Sequence, residues 1–206
     1  MKLHELFEES KPDYYNRLEQ ELNIKRLGNG AFARVFQHPT HPEVVVKVFT
    51  DEDKAYIAFL KFVMANQGNK YLPKILSVHH HDHTPKKKIK DRSIDELVDN
   101  KYTLVFMEKL TPATKDDVTK FIKTVPFEAQ HLKNNLKVEV PYRLGQLVSF
   151  YNAEWSDLAR QTEDKDLAEV ANFFVGILKR QIYSLDLHDK NVMMRGSQLV
   201  FTDPTS

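Results

Sequence analysis

The stretch Leu185-Asp186-Leu187-His188-Asp189-Lys190-Asn191-Val192-Met193-Met194, continued through Gly196 to Phe201-Thr202-Asp203-Pro204, decides the fold. It holds an Asp, an Asn five residues later, a short apolar strand, a turn, a second apolar strand and a further Asp. Phosphoryl transfer needs these types in this order. One carboxylate orients an attacking hydroxyl, while an amide and a second carboxylate hold Mg²⁺ against nucleotide phosphates. Taken singly, Asp and Asn are common turn residues. Asp186, Asn191 and Asp203 at these spacings, directly behind a long apolar helix, favour the catalytic reading over a capped turn. His188 stays open between a structural role and contact with phosphate or the loop backbone. Asp189 and Lys190 read as solvated.

Upstream of this stretch the pattern is helical. Between Asp166 and Ser184, Leu167, Val170, Ala171, Phe174, Ile177, Leu178 and Ile182 recur at 3–4 spacing and predict one apolar helix face. Arg143 to Trp155 and the short run Asp116 to Lys123 predict two more helices. The N-terminal half reads differently. Ile24–Leu27, Phe32–Phe36, Val44–Phe49, Ile75–Val78 and Tyr102–Met107 predict strands, with a helix over 51–66 between the third and fourth. Residues 3–21 read as an acidic amphipathic helix broken near Pro12. A polar insert, His79 to Asn100, carries Lys86-Lys87-Lys88 and reads as a loop or long hairpin tip. Its His79-His80-His81-Asp82-His83 run lacks metal-ligand spacing and reads as an exposed strand end rather than a metal site.

Two features of the strand-rich half bear on chemistry. Gly28-Asn29-Gly30-Ala31-Phe32-Ala33 lies between two strands, and glycine lets backbone N–H groups come close to phosphates. Alone it reads better as a hairpin turn. Lys47 interrupts the apolar run Val44–Phe49, 17 residues after Gly30. Alone it reads as a solvent-facing strand residue; behind a glycine loop it reads as a phosphate-pairing lysine.

Composition sets bounds. The 206 residues suit one large or two small lobes, and 41% hydrophobic with 29% charged residues is ordinary for a globular chain. A net charge of +1 points to neither nucleic acid nor membrane. The absence of Cys excludes disulfides and thiolate–metal sites. No signal peptide is read at the N-terminus, and no apolar run approaches a membrane span.

Glycine loop, strand lysine, connector and Asp-x-x-x-x-Asn with a trailing Asp occur in one order, and this order resembles the protein-kinase-like fold. Leu27-Gly28-Asn29-Gly30, Val46-Lys47-Val48, Ala55-Tyr56-Ile57-Ala58-Phe59 and Ser184-Leu185-Asp186-Leu187-His188 with Thr202-Asp203-Pro204 are similar to the early serine/threonine protein kinases of short-tailed, T-seven-type bacteriophages. The resemblance implies an α+β, two-lobed fold: a helical extension over 1–21, a nucleotide-binding lobe over 22–109, and a reduced helical lobe over 110–206 cut short at its C-terminus. It implies ATP and Mg²⁺ as cofactors. Gly28, Asn29, Gly30 and Ala31 would cradle phosphates, and Lys47 would hold them. Met107 would guard the adenine pocket, and the backbone of Glu108 to Leu110 would bond adenine. Asp186 would be the catalytic base, with Asn191 and Asp203 as metal ligands. Partners would be bacterial host proteins, the setting the host cytoplasm, with no membrane or direct nucleic-acid role.

The chain also departs from that pattern. The helix after Lys47 offers Tyr56 near the usual Glu, with Glu52 and Asp53 only at its start. The Asp-Leu-His order of 186–188 resembles aminoglycoside and choline kinases. No activation segment follows Ser206, so substrate would be held elsewhere, by residues 111–165, the basic insert or a partner chain. Two alternatives therefore stand beside the protein kinase: a small-molecule phosphotransferase, and a catalytically weak kinase-like protein that binds and inhibits a host target.

Overall fold

The computed structural model describes residues 25–29, 33–50, 53–81, 102–124, 152–180, 183–187 and 191–205. The predicted N-terminal helix, most of the insert after His81 and the first part of the helix expected from Arg143 lie outside these residues. The chain is α+β, and it divides into two units. One comprises residues 1–54 and 74–109, the other residues 55–73 and 110–206.

The first unit is an antiparallel sheet of five strands, β1 (Arg26–Asn29), β2 (Ala33–Gln37), β3 (Val44–Thr50), β4 (Ile75–His81) and β5 (Tyr102–Glu108), in the order β1-β2-β3-β5-β4. The β-branched run Val44-Val45-Val46 suits a pleated, packed surface, and it opens the strand that takes the central place. Every residue of β3 is buried. The turn into β3 is closed by backbone bonds: His38 N–H donates to Val44 C=O (3.0 Å) and Val44 N–H to His41 C=O (3.0 Å). The His38 ring nitrogen Nδ1 accepts from the N–H groups of Thr40 and His41 at 3.3 and 3.2 Å. β1 carries a register shift between Arg26 and Gly28, so the strand kinks just before the glycine loop.

The second unit contains four described helices: α1 (Lys54–Ala65, in this unit from Ala55 onward), α2 (Lys115–Thr124), α3 (Asn152–Gln161) and α4 (Lys165–Arg180). A small sheet joins β6 (Thr111–Pro112) to the hairpin β7 (Val192–Arg195) and β8 (Gln198–Phe201). Two of the helix starts have a local cause. Thr114 caps α2 reciprocally with Asp117: Asp117 N–H donates to Thr114 Oγ1 (3.3 Å) and Thr114 N–H to Asp117 Oδ2 (2.9 Å). The Thr114 hydroxyl bond to Asp117 holds that carboxyl below its ordinary range. Asp164 caps α4 by accepting from Leu167 N–H. The end of α1 is satisfied by side chains, since Asn66 Nδ2 donates to Phe62 C=O (2.8 Å) and Gln67 Nε2 to Val63 C=O (2.9 Å).

The core of this unit is aromatic. Trp155 of α3, Phe174 of α4 and Phe201 of β8 are fully buried and meet edge to face, with centroids 4.7 Å apart for Trp155–Phe174 and 5.2 Å for Phe174–Phe201. Phe121 of α2 meets Phe201 at 6.2 Å. Phe62 of α1 stacks on Phe173 of α4 at 4.3 Å. The predicted apolar face of α4 is the buried one at Leu167, Val170, Ala171, Phe174 and Ile177, and it also takes in Val175. α4 is described as far as Arg180, residues 181 and 182 lie outside the described residues, and Tyr183-Ser184 stand outside any helix, so the helix does not reach Ser184 as the periodicity suggests. The short strand β6 has no signal in the sequence.

Candidate active site

In the first unit the sheet register decides which residues share a face. Directly opposed residues of an antiparallel pair lie on one face, as do residues two apart. Gly28 opposes Val35, Val35 opposes Lys47, Lys47 opposes Val105, and Val45 opposes Met107. Gly28, Val35, Val45, Lys47, Val105 and Met107 therefore form one face. It is apolar apart from a lysine that is only 5% exposed. Lysine is rarely buried so far without a specific use. The solvent-facing reading of Lys47 does not apply here: the strand is central and covered. A Cβ built on Gly28 meets nothing within 4 Å and its φ is not left-handed. Neither crowding nor backbone strain in the protein calls for glycine there, so the missing side chain leaves room over the sheet. Asn29 closes β1 in register with Arg34; Gly30 and Ala31 lie outside the described residues. Val35 and Val45 were not singled out from sequence, although their spacings of twelve and two residues from Lys47 are the signal that the register makes legible.

The end of β5 is committed on one side. Glu108 N–H donates to Lys74 C=O (3.1 Å), its carboxylate accepts from Lys74 N–H (2.8 Å), and Lys109 N–H donates to Glu43 C=O (2.7 Å). The amide hydrogens of Glu108 and Lys109 are thus already in use.

In the second unit, Asp186, Asn191 and Asp203 are drawn into one hydrogen-bonded knot. Asn191 Nδ2 donates to Asp186 C=O (2.7 Å). Asp186 N–H donates to Pro204 C=O (2.8 Å), and Thr202 N–H donates to Asn191 C=O (2.9 Å). Leu185 and Thr205 form an antiparallel bridge on either side of the same contact. The hairpin that connects Asn191 to Asp203 is set by Val192↔Phe201 and Arg195↔Gln198 pairing. Gly196, with φ of +61°, makes the two-residue turn that this register demands. Asn191 is buried, while Asp186 and Asp203 are half-buried. Nδ2 of Asn191 donates to the loop, and Oδ1 is the atom of this amide with the chemistry of a metal ligand. An amide oxygen with a carboxylate is the hard-oxygen donor set that suits Mg²⁺. His188 lies outside the described residues.

The hairpin is anchored by a second set of residues that the sequence did not disclose. Arg195 donates from Nη1 to Lys70 C=O (3.0 Å) and from Nη2 to Leu72 C=O (2.8 Å). Phe201 N–H donates to Tyr71 C=O (2.9 Å). The same segment reaches the start of α4, where Tyr71 Oη donates to Asp164 (2.7 Å), Lys70 Nζ pairs with Asp164 (2.7 Å) and Asn69 Nδ2 donates to Asp166 C=O (2.8 Å). Burial, then the bond to Asp164, pushes the Tyr71 hydroxyl pKa up. Burial opposes ionisation of Asp164, but the bonds from Lys70 and Tyr71 outweigh it and hold that carboxyl below its ordinary value.

Two expectations about neighbouring groups can be placed. α1 carries no Asp or Glu between Lys54 and Ala65, so an acidic partner for Lys47 is not on the helix itself. Asp53 precedes the helix, with its N–H donating to Thr50 C=O (3.0 Å), and Glu52 lies outside the described residues. In β4, His79 and His80 bond Ser77 and Thr103 at 3.1 and 3.0 Å. Among the described residues no group of His, Asp and Glu side chains is arranged as a metal cage, and no helix is long and apolar enough to cross a membrane.

Residues 8–85 match the family model for bacteriophage T7 protein kinase 0.7, a span that includes the glycine loop and Lys47. A solved amicoumacin kinase, in complex with AMP-PNP, Ca²⁺ and Ami, is similar at 12% identity and a TM-score of 0.40; the match covers 98% of this chain and 66% of that one. Among curated proteins none matches. The family match spans less than half of the 206-residue chain.

Proposed function

We propose that the chain is an ATP- and Mg²⁺-dependent serine/threonine protein kinase that phosphorylates bacterial host proteins in the host cytoplasm during phage infection. The observation that carries this reading is the knot joining Asp186, Asn191 and Asp203. It brings together the chain segments that carry Asp186, Asn191 and Asp203, the residue types that phosphoryl transfer requires. Asp186 orients the attacking hydroxyl and takes its proton. Asn191 Oδ1 and the Asp203 carboxylate would hold Mg²⁺, which when bound neutralises charge on the phosphates. Lys47 pairs with the nucleotide phosphates, and the room above Gly28 admits them. Val35, Val45 and Met107 give the adenine an apolar face. Positioning and charge stabilisation carry most of such catalysis, so a small scaffold suffices.

The test is transfer of label from γ-labelled ATP with Mg²⁺ into bacterial lysate proteins, wild type against Asp186→Ala. Label on protein bands that disappears in the variant is the expected result. Label that persists in the variant would overturn the assignment of Asp186. No label from a folded, ATP-binding wild type would overturn the protein-kinase reading.

One observation favours a second reading, a kinase-like protein that binds and inhibits a host target. Helix α1 carries no Asp or Glu between Lys54 and Ala65, where the kinase pattern expects an acid. Inhibition of host growth that survives both Lys47→Ala and Asp203→Ala is its expected signature; loss of inhibition in both, with folding intact, counts against it.

A further inference from the structure

We propose that Thr205 is a positioning residue for Asp203, tying the metal-binding segment to helix α1 through a main-chain oxygen. The inference rests on the phosphotransferase reading above. Thr205 Oγ1 donates to Ala55 C=O at 3.1 Å, and both residues are buried, at 5% and 6% exposure. Ala55 stands in the first turn of α1. The bonds from Thr202 and Asp186 and the Leu185–Thr205 bridge tie residues 202–205 to the catalytic loop. The Thr205 hydroxyl carries the segment onto a different element.

Two features make this tether bear on Asp203. Pro204 stands between Asp203 and Thr205 with φ fixed near −65°, so a displacement of Thr205 is passed on rather than absorbed. α1 has no acidic side chain between Lys54 and Ala65 with which to form an ion pair, and its carbonyl supplies the link instead. Such a link depends on the position of the helix and not on charge. A carbonyl oxygen has two lone pairs, and within a helix it already accepts from the N–H four residues on. Thr205→Val therefore removes one bond, keeps the shape and orphans no buried acceptor.

The experiment uses the full chain. Mn²⁺ affinity in the presence of AMP-PNP is read from the electron paramagnetic resonance signal of free Mn²⁺ for wild type, Thr205→Val, Thr205→Ser and Asp203→Ala. The metal dependence of ATP turnover is measured alongside. Thr205→Val is expected to weaken Mn²⁺ binding about fivefold, the size of one net buried hydrogen bond. The same variant should raise the metal concentration for half-maximal turnover while leaving kcat at saturating metal close to wild type. Thr205→Ser should recover both. Wild-type Mn²⁺ affinity in Thr205→Val, with binding lost in Asp203→Ala, overturns the role of Thr205 and leaves the phosphotransferase reading standing. Wild-type affinity in Asp203→Ala overturns that reading itself. Should the Val variant not fold, Thr205→Cys carries the comparison, because a thiol fits the site and donates poorly: weakened binding supports the tether, and unchanged binding overturns it.

Discussion

The two units hold their candidate functional residues by different means. In the strand-rich unit Lys47, Val35, Val45 and Met107 are placed by register: opposition across β2, β3 and β5 puts them on one face, and that pattern is carried by backbone bonds alone. In the helical unit Asp186, Asn191 and Asp203 sit on loops, and a few backbone bonds together with side chains place them. Asn191 bonds the Asp186 carbonyl, Arg195 grips the carbonyls of Lys70 and Leu72, and the hairpin rests on the Trp155–Phe174–Phe201 cluster. A face set by register tolerates side-chain changes that keep the strand. A loop knot with few backbone bonds leans on its side chains and weakens when one of them is lost.

The largest expected effect breaks the chemistry without breaking the knot. Asp186→Asn keeps the backbone amide and carbonyl that bond Pro204 and Asn191, so the fold should be unchanged by circular dichroism. Phosphoryl transfer should fall by roughly 10²–10⁴, the range for a lost general base. A variant that loses activity only through unfolding would show that the carboxylate itself helps to hold the loop.

Phe174→Ala tests the support of the helical unit. Phe174 is fully buried and touches both Trp155 and Phe201, and deleting such a ring costs about 3–5 kcal/mol. Chemical denaturation should show this loss, with metal binding reduced before global unfolding because Phe201 is the last residue of β8.

Lys47→Met makes the opposite case in the sheet. The site is central and buried, and Met keeps the length of the side chain and every backbone bond of the strand. The fold should be retained by circular dichroism, while turnover of ATP drops about a hundredfold, as for the loss of one preorganised donor to the reacting group. A loss of both would mean that Lys47 serves mainly to hold the sheet together.

What the sequence disclosed follows the same division. β3 was legible because Val44-Val45-Val46 is a strong strand signal, and α4 because its apolar residues recur at helical spacing. The β7–β8 hairpin was legible from two apolar runs around Gly196. All of these are local patterns. The face shared by Val35 and Lys47 was not read, because it depends on how β2 pairs with β3. Tyr71, Asp164 and Arg195 were invisible for a stronger reason: residues 93 and 123 positions apart meet only in the folded chain, and none of them stands in a pattern that marks it. The extra buried position Val175 shows that the apolar face of α4 is wider than its periodicity indicates, since a helix packed from more than one side buries a broader stripe.

The smallest expected effect lies in the polar bonds behind the hairpin, and it depends on pH. Lys70 and Tyr71 hold the Asp164 carboxyl below its ordinary value of 3.8. A carboxyl depressed in the folded state stabilises the fold above its unfolded value, and that contribution disappears as pH falls through the depressed one. Tyr71 behaves in the reverse sense. Its hydroxyl is raised from 10.0, so its contribution is complete below that value and drains away as pH rises beyond it. Asp164→Asn should therefore flatten the acid limb of a stability–pH curve, and Tyr71→Phe the alkaline limb. Because the Lys70–Asp164 pair is partly exposed, each change should amount to about 1 kcal/mol or less near neutrality. Urea midpoints measured from below pH 3.8 to above pH 10 would resolve the two limbs. If Asp164→Asn leaves the acid limb unchanged, the hairpin is held by Arg195 and the aromatic core without help from this pair.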